Sequence, residues 1–240
     1  MARIPLEDSA NDIVGKARRG LGRPGETSPE KLGLNAAALH AIATNAWYPS
    51  DPGPIDGLAC FQTPFSDMMV NSYVVFDPAS KIAAAFDTGT DCSRMLALPV
   101  RIQQIFITHV HADHILDLDR LKQKTGATAF VSEREPLDGA TSFADGRTFS
   151  VGALTVETRR TSGHARGGAT YVVSGLARRL AVVGDALFAG SMGGGLVDYR
   201  EALRTNCESI FTLPDDTVIC PGHGPLTTVG EERRHNPFFS

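Results

Sequence analysis

The chain offers little with which to build a disulfide framework or a cysteine metal site. Its four cysteines, Cys60, Cys92, Cys207 and Cys220, stand far apart and form no Cys-x-x-Cys pair, the spacing that a thiolate zinc site or redox pair uses. They read as small buried apolar residues. No run approaches the roughly 18 apolar residues of a membrane span, and the opening Met1-Ala2-Arg3-Ile4-Pro5-Leu6-Glu7-Asp8 lacks the apolar stretch of an export signal. Basic charge is not in excess: 23 Lys and Arg against 27 Asp and Glu leave a formal charge of −4, which argues against a polyanion binder. These absences lead to the expectation of a soluble, cytoplasmic protein with no membrane partner, and composition does not suggest nucleic acid.

What is present is a chain of 240 residues, 42% hydrophobic, long enough to bury a sizeable core. Histidine placement carries the first chemical information. The seven are His40, His109, His111, His114, His164, His223 and His235, and three of them crowd into Thr108-His109-Val110-His111-Ala112-Asp113-His114 together with a carboxylate. Imidazoles packed this closely repel one another on protonation, and nothing compensates unless a cation collects their lone pairs. The preceding Ile102-Gln103-Gln104-Ile105-Phe106-Ile107-Thr108 reads as a buried strand. In extended chain, residues i and i+2 point the same way, so His109 and His111 can grip one ion while Asp113 and His114 round the bend. Residues 115–122 then read as a helix with an apolar face at 115, 118 and 121.

Further along, residues 70–77 and 81–87 read as a hairpin, 127–132 as a short strand, and 149–158 as one strand after the Asp145-Gly146 turn. Residues 170–174 and 179–183 flank a second hairpin turn. Residues 199–213, with apolar positions 199, 203, 207, 210 and 211, read as an amphipathic helix ending before Pro214. Ser191-Met192-Gly193-Gly194-Gly195 reads as a flexible loop over the site. The core domain is placed at 58–240, after an arm and linker at 1–57. In the arm, Ser28-Pro29-Glu30 and Asn35 are helix starts, Leu39, Ile42, Ala43, Ala46 and Trp47 form a helical stripe, and Lys16, Arg18, Arg19 and Arg23 make a basic run. Packing or assembly into a homo-oligomer, a lid bringing Trp47 or Tyr48 to the substrate, and a small DNA-binding element are the readings left open for it.

The His-x-His-x-Asp-His run resembles the signature of the metallo-β-lactamase superfamily. Four more motifs follow the order of that family: Asp87-Thr88-Gly89, Thr161-Ser162-Gly163-His164, Val183-Gly184-Asp185 and Cys220-Pro221-Gly222-His223-Gly224. The resemblance implies an α+β fold, a four-layer αββα sandwich with a metal site at one edge of its two sheets, here with an N-terminal helical extension. Position by position it implies one metal site of His109, His111 and His164 and another of Asp113, His114 and His223, with Asp185 bridging. Asp113 and Asp185 are then the carboxylates of the catalytic centre, and Asp87 orients the ligand loop from behind. Two divalent ions are implied as cofactors: the donor set suits Zn²⁺ and is also compatible with Fe²⁺ or Mn²⁺. With two ions, two aspartates and a bridging hydroxide, the centre keeps a charge of about +1 and favours anionic substrates.

The tail Gly230-Glu231-Glu232-Arg233-Arg234-His235-Asn236-Pro237-Phe238 is similar to that of the glyoxalase II-like (hydroxyacylglutathione hydrolase-like) thioesterases and the persulfide dioxygenases. The first class implies hydrolysis of an anionic thioester by a metal-bridging hydroxide. The second implies a single iron, whose ligands here would be His109, His164 and Asp185. The full two-metal ligand set points to the hydrolase, with a lactonase acting on esters, or a metal-stabilised interaction module using the arm, as the alternatives. β-Lactamase activity is not expected, since Asp185 stands where many secreted zinc β-lactamases carry Cys. The sequence departs from the glyoxalase II pattern in three respects: Ser162 stands where Pro is usual, Ala165-Arg166-Gly167-Gly168 follows the ligand His164, and no long helical C-terminal domain for glutathione follows the tail. Arg166 is expected to meet a substrate carboxylate, with Gly167 and Gly168 clearing its approach.

Overall fold

Alternation at period two sorts the strand residues into inward and outward faces, and the computed structural model of the protein, which describes residues 33–240, shows where each face goes. The first sheet comprises β1 (Leu58–Phe65), β2 (Met68–Phe76), β3 (Ile82–Phe86), β4 (Arg101–Phe106), β5 (Thr128–Ser132) and β6 (Thr141–Phe143), in that spatial order. β1, β2 and β3 are antiparallel neighbours, whereas β3 to β6 run parallel. The second sheet comprises β7 (Thr148–Val151), β8 (Leu154–Arg160), β9 (Ala169–Ser174), β10 (Leu180–Gly184), β11 (Val218–Pro221) and β12 (Thr227–Thr228), also in chain order. Only its β10–β11 pairing is parallel.

The described helices are α1 (Ala36–Ala43), α2 (Ser93–Leu96), α3 (Ala112–Ile115), α4 (Leu118–Thr125), α5 (Tyr199–Ser209) and α6 (Val229–His235). Between the sheets, Tyr73, Phe86 and Phe106 of the first meet Phe149, Tyr171, Val173 and Val182 of the second. Edge-on aromatic pairs such as Phe106 with Phe149 add about 0.5–1.5 kcal/mol each beyond the area they bury. The outer face of the first sheet (Val74, Ala83, Ala85, Ile105) is covered by Met95, Leu118 and Leu121 of α2 and α4. That of the second (Val172, Ala181, Val183, Ile219) is covered by Ala202, Ile210 and Val229 from α5, its end and α6. The result is the four-layer αββα arrangement.

Several local expectations need correction. Residues 149–158 are not one strand: Gly152, at φ +58, turns β7 back into β8 and sits where a Cβ would strike the Asp77 carboxylate. The helix expected over 115–122 is interrupted at Leu116 and Asp117, because the Asp117 carboxylate accepts from the Cys92 N–H at 2.8 Å. α5 buries Ala202, Thr205 and Asn206 and exposes Cys207, so its inner face is rotated from the apolar stripe. Thr205 Oγ1 donates to the Ser162 carbonyl and Asn206 Nδ2 to that of Ala186. Of the cysteines, Cys92 and Cys220 are buried, but Cys60 and Cys207 are exposed.

In the arm, Asn35 caps α1 as expected, accepting from the Ala38 N–H. The helix stops at Ala43, and Asn45 takes a left-handed conformation (φ 53), so Ala43 and Ala46 are exposed while Leu34, Ala38, Leu39 and Ile42 are buried. Trp47 stacks on His235 of α6, and its Nε1–H donates to Glu231. That is a packing contact with the chain's own C-terminal helix, not a lid over the site. The basic run at 16–23 and the helix start at Ser28 lie outside the described residues. Among the described residues, no helix is long and apolar enough to cross a membrane.

Candidate metal centre

Parallel pairing puts the C-terminal ends of β3 and β4 at one edge of the first sheet, and those of β10 and β11 at one edge of the second. The two edges meet. Tyr171 Oη donates to the Ile107 carbonyl at 2.6 Å and the Ala169 N–H to the Thr108 carbonyl at 2.9 Å. Tyr73 Oη likewise donates to the Pro221 carbonyl at 2.7 Å. Every ligand expected from the motifs follows a strand that ends here, or starts the short helix α3 beyond β4.

The side chains form two groups of candidate ligands: His109, His111, His164 and Asp185, and Asp113, His114 and His223. Asp185 stands between them. Its Oδ2 is 3.5 Å from His164 Nε2 and 3.9 Å from His109 Nε2, and also 3.5 Å from His223 Nε2, while Oδ1 is 3.2 Å from His114 Nε2. Asp113 Oδ2 lies 3.3 Å from His223 Nε2.

Four of the five rings are fixed by an outer contact at Nδ1. That of His114 meets Asp87 Oδ2 at 2.8 Å, that of His164 the Gly194 carbonyl at 2.8 Å, that of His223 the Met69 carbonyl at 2.7 Å, and that of His109 the Thr108 hydroxyl at 3.0 Å. An N–H donated outward at Nδ1 leaves the Nε2 lone pair facing inward, the tautomer a metal requires. His111 instead turns Nδ1 inward, 3.1 Å from His164 Nε2. Asp87 accepts from the Thr108 N–H at 2.8 Å and Thr108 Oγ1 at 2.7 Å as well as meeting His114. It thus pins the start and the end of the ligand run at once.

The inward atoms have too few partners in the protein. His109 Nε2 is buried without a hydrogen bond, and His114 Nε2 and Asp185 Oδ1 have only each other, 3.2 Å apart and outside good hydrogen-bond geometry; a buried polar atom left unpaired costs about 1–3 kcal/mol when nothing else binds it. All three aim at the space between the two groups, which fits this donor set to cations. The electrostatics agree. Burial and the neighbouring His114 hold His109 well below the usual histidine range. Burial also opposes charge on His114 and His223, but carboxylates outweigh it: Asp87 and Asp185 push His114 up to about 10, and Asp113 and Asp185 push His223 up to about 10. Asp185, although buried, is held well below the carboxylate range by His114 and His223. The cage is thus built around positive charge.

Close packing maintains the second sheet's ligands. A Cβ on Gly222 would collide with Asp185 Oδ1 and His114, and one on Gly193 with the Asp185 carbonyl and the His164 ring. Ser191, Met192 and Gly193 are buried, so the glycine loop is a packed support for His164, not a free flap. Behind it, Glu232 of α6 accepts from the Gly190 N–H at 2.7 Å, Thr227 Oγ1 at 2.7 Å and Asn236 Nδ2 at 2.9 Å, and Asn236 Nδ2 also donates to the Ser191 carbonyl at 2.9 Å. Thr108, Glu232 and Asn236 are supporting residues that motif reading did not identify. The tail that contains Glu232 and Asn236 was visible as a motif, but its role depends on contact with a turn some forty residues earlier.

Arg166 is exposed beside the ligand His164. The glycines after it do not clear its path: Gly167 packs on Glu135, and Gly168 on the Thr161 carbonyl.

Comparison with known proteins places this geometry in a lineage. The family described as Metallo-beta-lactamase superfamily matches residues 66–223. A probable metallo-hydrolase, YqgX, of Bacillus subtilis is 31% identical over 164 residues, covering 57% of this chain and 75% of that protein. The hydroxyacylglutathione hydrolase GloC of Haemophilus influenzae is 26% identical over 206 residues, covering 74% of this chain and 96% of its own. The crystal structure of ETHE1 from Myxococcus xanthus superposes with a TM-score of 0.65 at 28% identity, over 75% of this chain and 83% of that one.

Proposed function

This chain belongs to the metallo-beta-lactamase superfamily and is a metal-dependent hydrolase with His/Asp metal sites; we propose that it acts on thioesters and that both ligand groups are loaded in the working enzyme. The observation that carries the reading is Asp185, whose Oδ2 lies within 3.9 Å of His109, His164 and His223 and whose Oδ1 lies 3.2 Å from His114, so that one carboxylate meets rings of both groups. Similarity to a hydroxyacylglutathione hydrolase along nearly all of that protein's length supports the bond type.

Two divalent ions held there would activate a water near neutral pH and polarise the carbonyl under attack. The chain's own work is positioning. Asp87 and the carbonyls of Met69 and Gly194 hold the imidazoles with their lone pairs inward, so little reorganisation is needed when charge develops. Asp113 and Asp185 reduce the net charge enough for product to leave, while the remainder attracts an anionic substrate. All seven residues are committed as ligands, which leaves none of them to act as general acid. A thiolate, with a conjugate acid near pKa ~8.5, needs none, whereas an alkoxide or amide leaving group would. Arg166 supplies an exposed cation for a carboxylate on the thiol portion.

Elemental analysis paired with turnover of S-lactoylglutathione tests the reading. Two metal ions per chain and hydrolysis are expected. One iron per chain with oxygen uptake on glutathione persulfide would replace it with the dioxygenase.

A further inference from the structure

Among the described residues the large apolar side chains left exposed are Tyr48, Met68, Met69, Leu116, Leu196 and Val197. Single exposed apolar residues are ordinary, but concentration on one site is not. Five of these six lie on three segments that hold metal-centre ligands. Met68 and Met69 open β2, and the Met69 carbonyl receives His223 Nδ1. Leu116 follows directly on the short helix that carries Asp113 and His114. Leu196 and Val197 follow Gly194, whose carbonyl fixes His164, and the Val197 N–H donates to the Gly163 carbonyl at 3.0 Å.

The β1–β2 hairpin adds reach. β3 ends at Phe86 opposite Tyr73, yet β1 and β2 stay paired out to Phe65 and Met68. The hairpin therefore overhangs the sheet at the edge where the ligands gather. It is fastened at its base by the Asn71 N–H to the Gly222 carbonyl at 2.7 Å and by Asn71 Nδ2 to the Gly224 carbonyl at 2.8 Å. Phe188, half-buried, places its ring 5.7 Å from that of His223. Residues 65–72 carry one charge, Asp67, and residues 193–197 none.

Resting on the thioesterase reading above, we propose that this rim selects the acyl side of the substrate and that the acyl group is an aliphatic chain of medium length. The occupant follows from continuity and charge. A substrate whose carbonyl carbon reaches the metals must lie against the same segments that hold the ligands, and these present Met, Leu and Val. Its polar thiol portion has Arg166 to meet, which leaves the apolar segments for the acyl chain. Methionine suits a flexible chain, because an unbranched thioether repacks around guests of different length.

The test uses the metal-loaded full chain and acyl thioesters of one thiol, from acetyl to octanoyl. kcat/KM is expected to rise about two- to fourfold per added methylene, as apolar burial predicts. Met68→Ser and Leu196→Ser should each flatten that rise while metal content stays at the parent level, and Tyr48→Ser, an exposed residue on none of the three segments, should leave it as it was. A flat or falling series in the parent, or an undiminished rise in both rim variants, overturns the proposal. If no thioester is turned over, the functional reading has failed and the rim is judged by binding: calorimetry with straight-chain carboxylates should show affinity growing with length in the parent and less so in the variants. Length-independent binding overturns it. So does a dimer in sedimentation that Met68→Ser or Leu196→Ser dissociates, since a second copy would then be what covers the rim.

Discussion

The two sheets contribute to one metal centre in different ways. The first supplies His109, His111, Asp113 and His114 from a single stretch after β4, pinned from behind by one carboxylate, Asp87. The second supplies His164, Asp185 and His223 one at a time, from the ends of separate strands, held by backbone carbonyls, glycines without room for a side chain, and the α6 clamp. A local cluster needs one buried hub, whereas a dispersed one needs the surrounding fold to be correct in several places. The first set should therefore respond to single changes near it, and the second to changes far away.

The largest effect is expected where the two sets join. Asp185→Ala removes the carboxylate that both groups face, and it should reduce bound metal at both sites and lower turnover by more than the roughly 10- to 100-fold typical of outer contacts. Metal analysis and kcat/KM check this, and normal turnover with full metal would show that the two sets do not depend on Asp185. Acidity comes next, because each set contributes one histidine whose pKa lies near 10, His114 and His223. In the metal-free protein both keep a second proton, on Nε2, at neutral pH and expose that lone pair only as metal displaces it, so loading should release about two protons, and apparent affinity should fall up to about 100-fold per pH unit of acidification. Calorimetry in buffers of different ionisation enthalpy measures the count. The linkage sign for the metal-free protein follows from raised folded-state values: the stabilisation is full below the unfolded value of about 6.5 and fades as pH climbs toward about 10. Metal-loaded protein should not show that decline.

Asp87→Asn should cost about 10- to 100-fold in metal affinity, with the loss centred on the ligands of the first sheet. Glu232→Ala sharpens the contrast from the other side. It strips acceptors from Gly190, Thr227 and Asn236, groups whose desolvation costs about 1–3 kcal/mol each when unpaired. Lower thermal stability and a partial loss of metal are expected, whereas Glu232→Gln, able to keep part of the network, should fall between. Were Glu232→Ala to leave metal content and melting untouched, the clamp would be incidental. Arg166→Ala is the smallest change: as an exposed substitution it should alter stability by no more than about 0.5 kcal/mol and weaken turnover only of carboxylated thioesters.

The same division explains what the amino-acid order revealed. His109 to His114 were legible because their chemistry is written contiguously, and the hairpins at 70–87 and 170–183 because strand and turn residues alternate there. Gly152 did not stand out, since what requires it, a left-handed φ in the turn between β7 and β8 and the Asp77 carboxylate where a Cβ would sit, is set by the fold. The break before α4 escaped because Asp117 answers a donor on Cys92, distant in sequence. The inner face of α5 escaped because its buried positions are polar, satisfied by the carbonyls of Ser162 and Ala186. Gly167 and Gly168 were visible but misread: neighbours, not access to Arg166, account for them.

The Asn35 N–H donates to the Pro237 carbonyl at 2.8 Å, so the described chain nearly closes into a ring. Each sheet is also a continuous half of that ring, the first built from 58–143 and the second from 148–228. A gene rearranged to omit residues 1–32, to join Ser240 to Gly33 by a short linker and to open between Asp145 and Gly146, both exposed, would exchange the order of the halves. Permutation of this kind is tolerated when the ends are close and the cut is exposed. Such a chain should still assemble all seven ligands, now synthesising the dispersed set before the contiguous one.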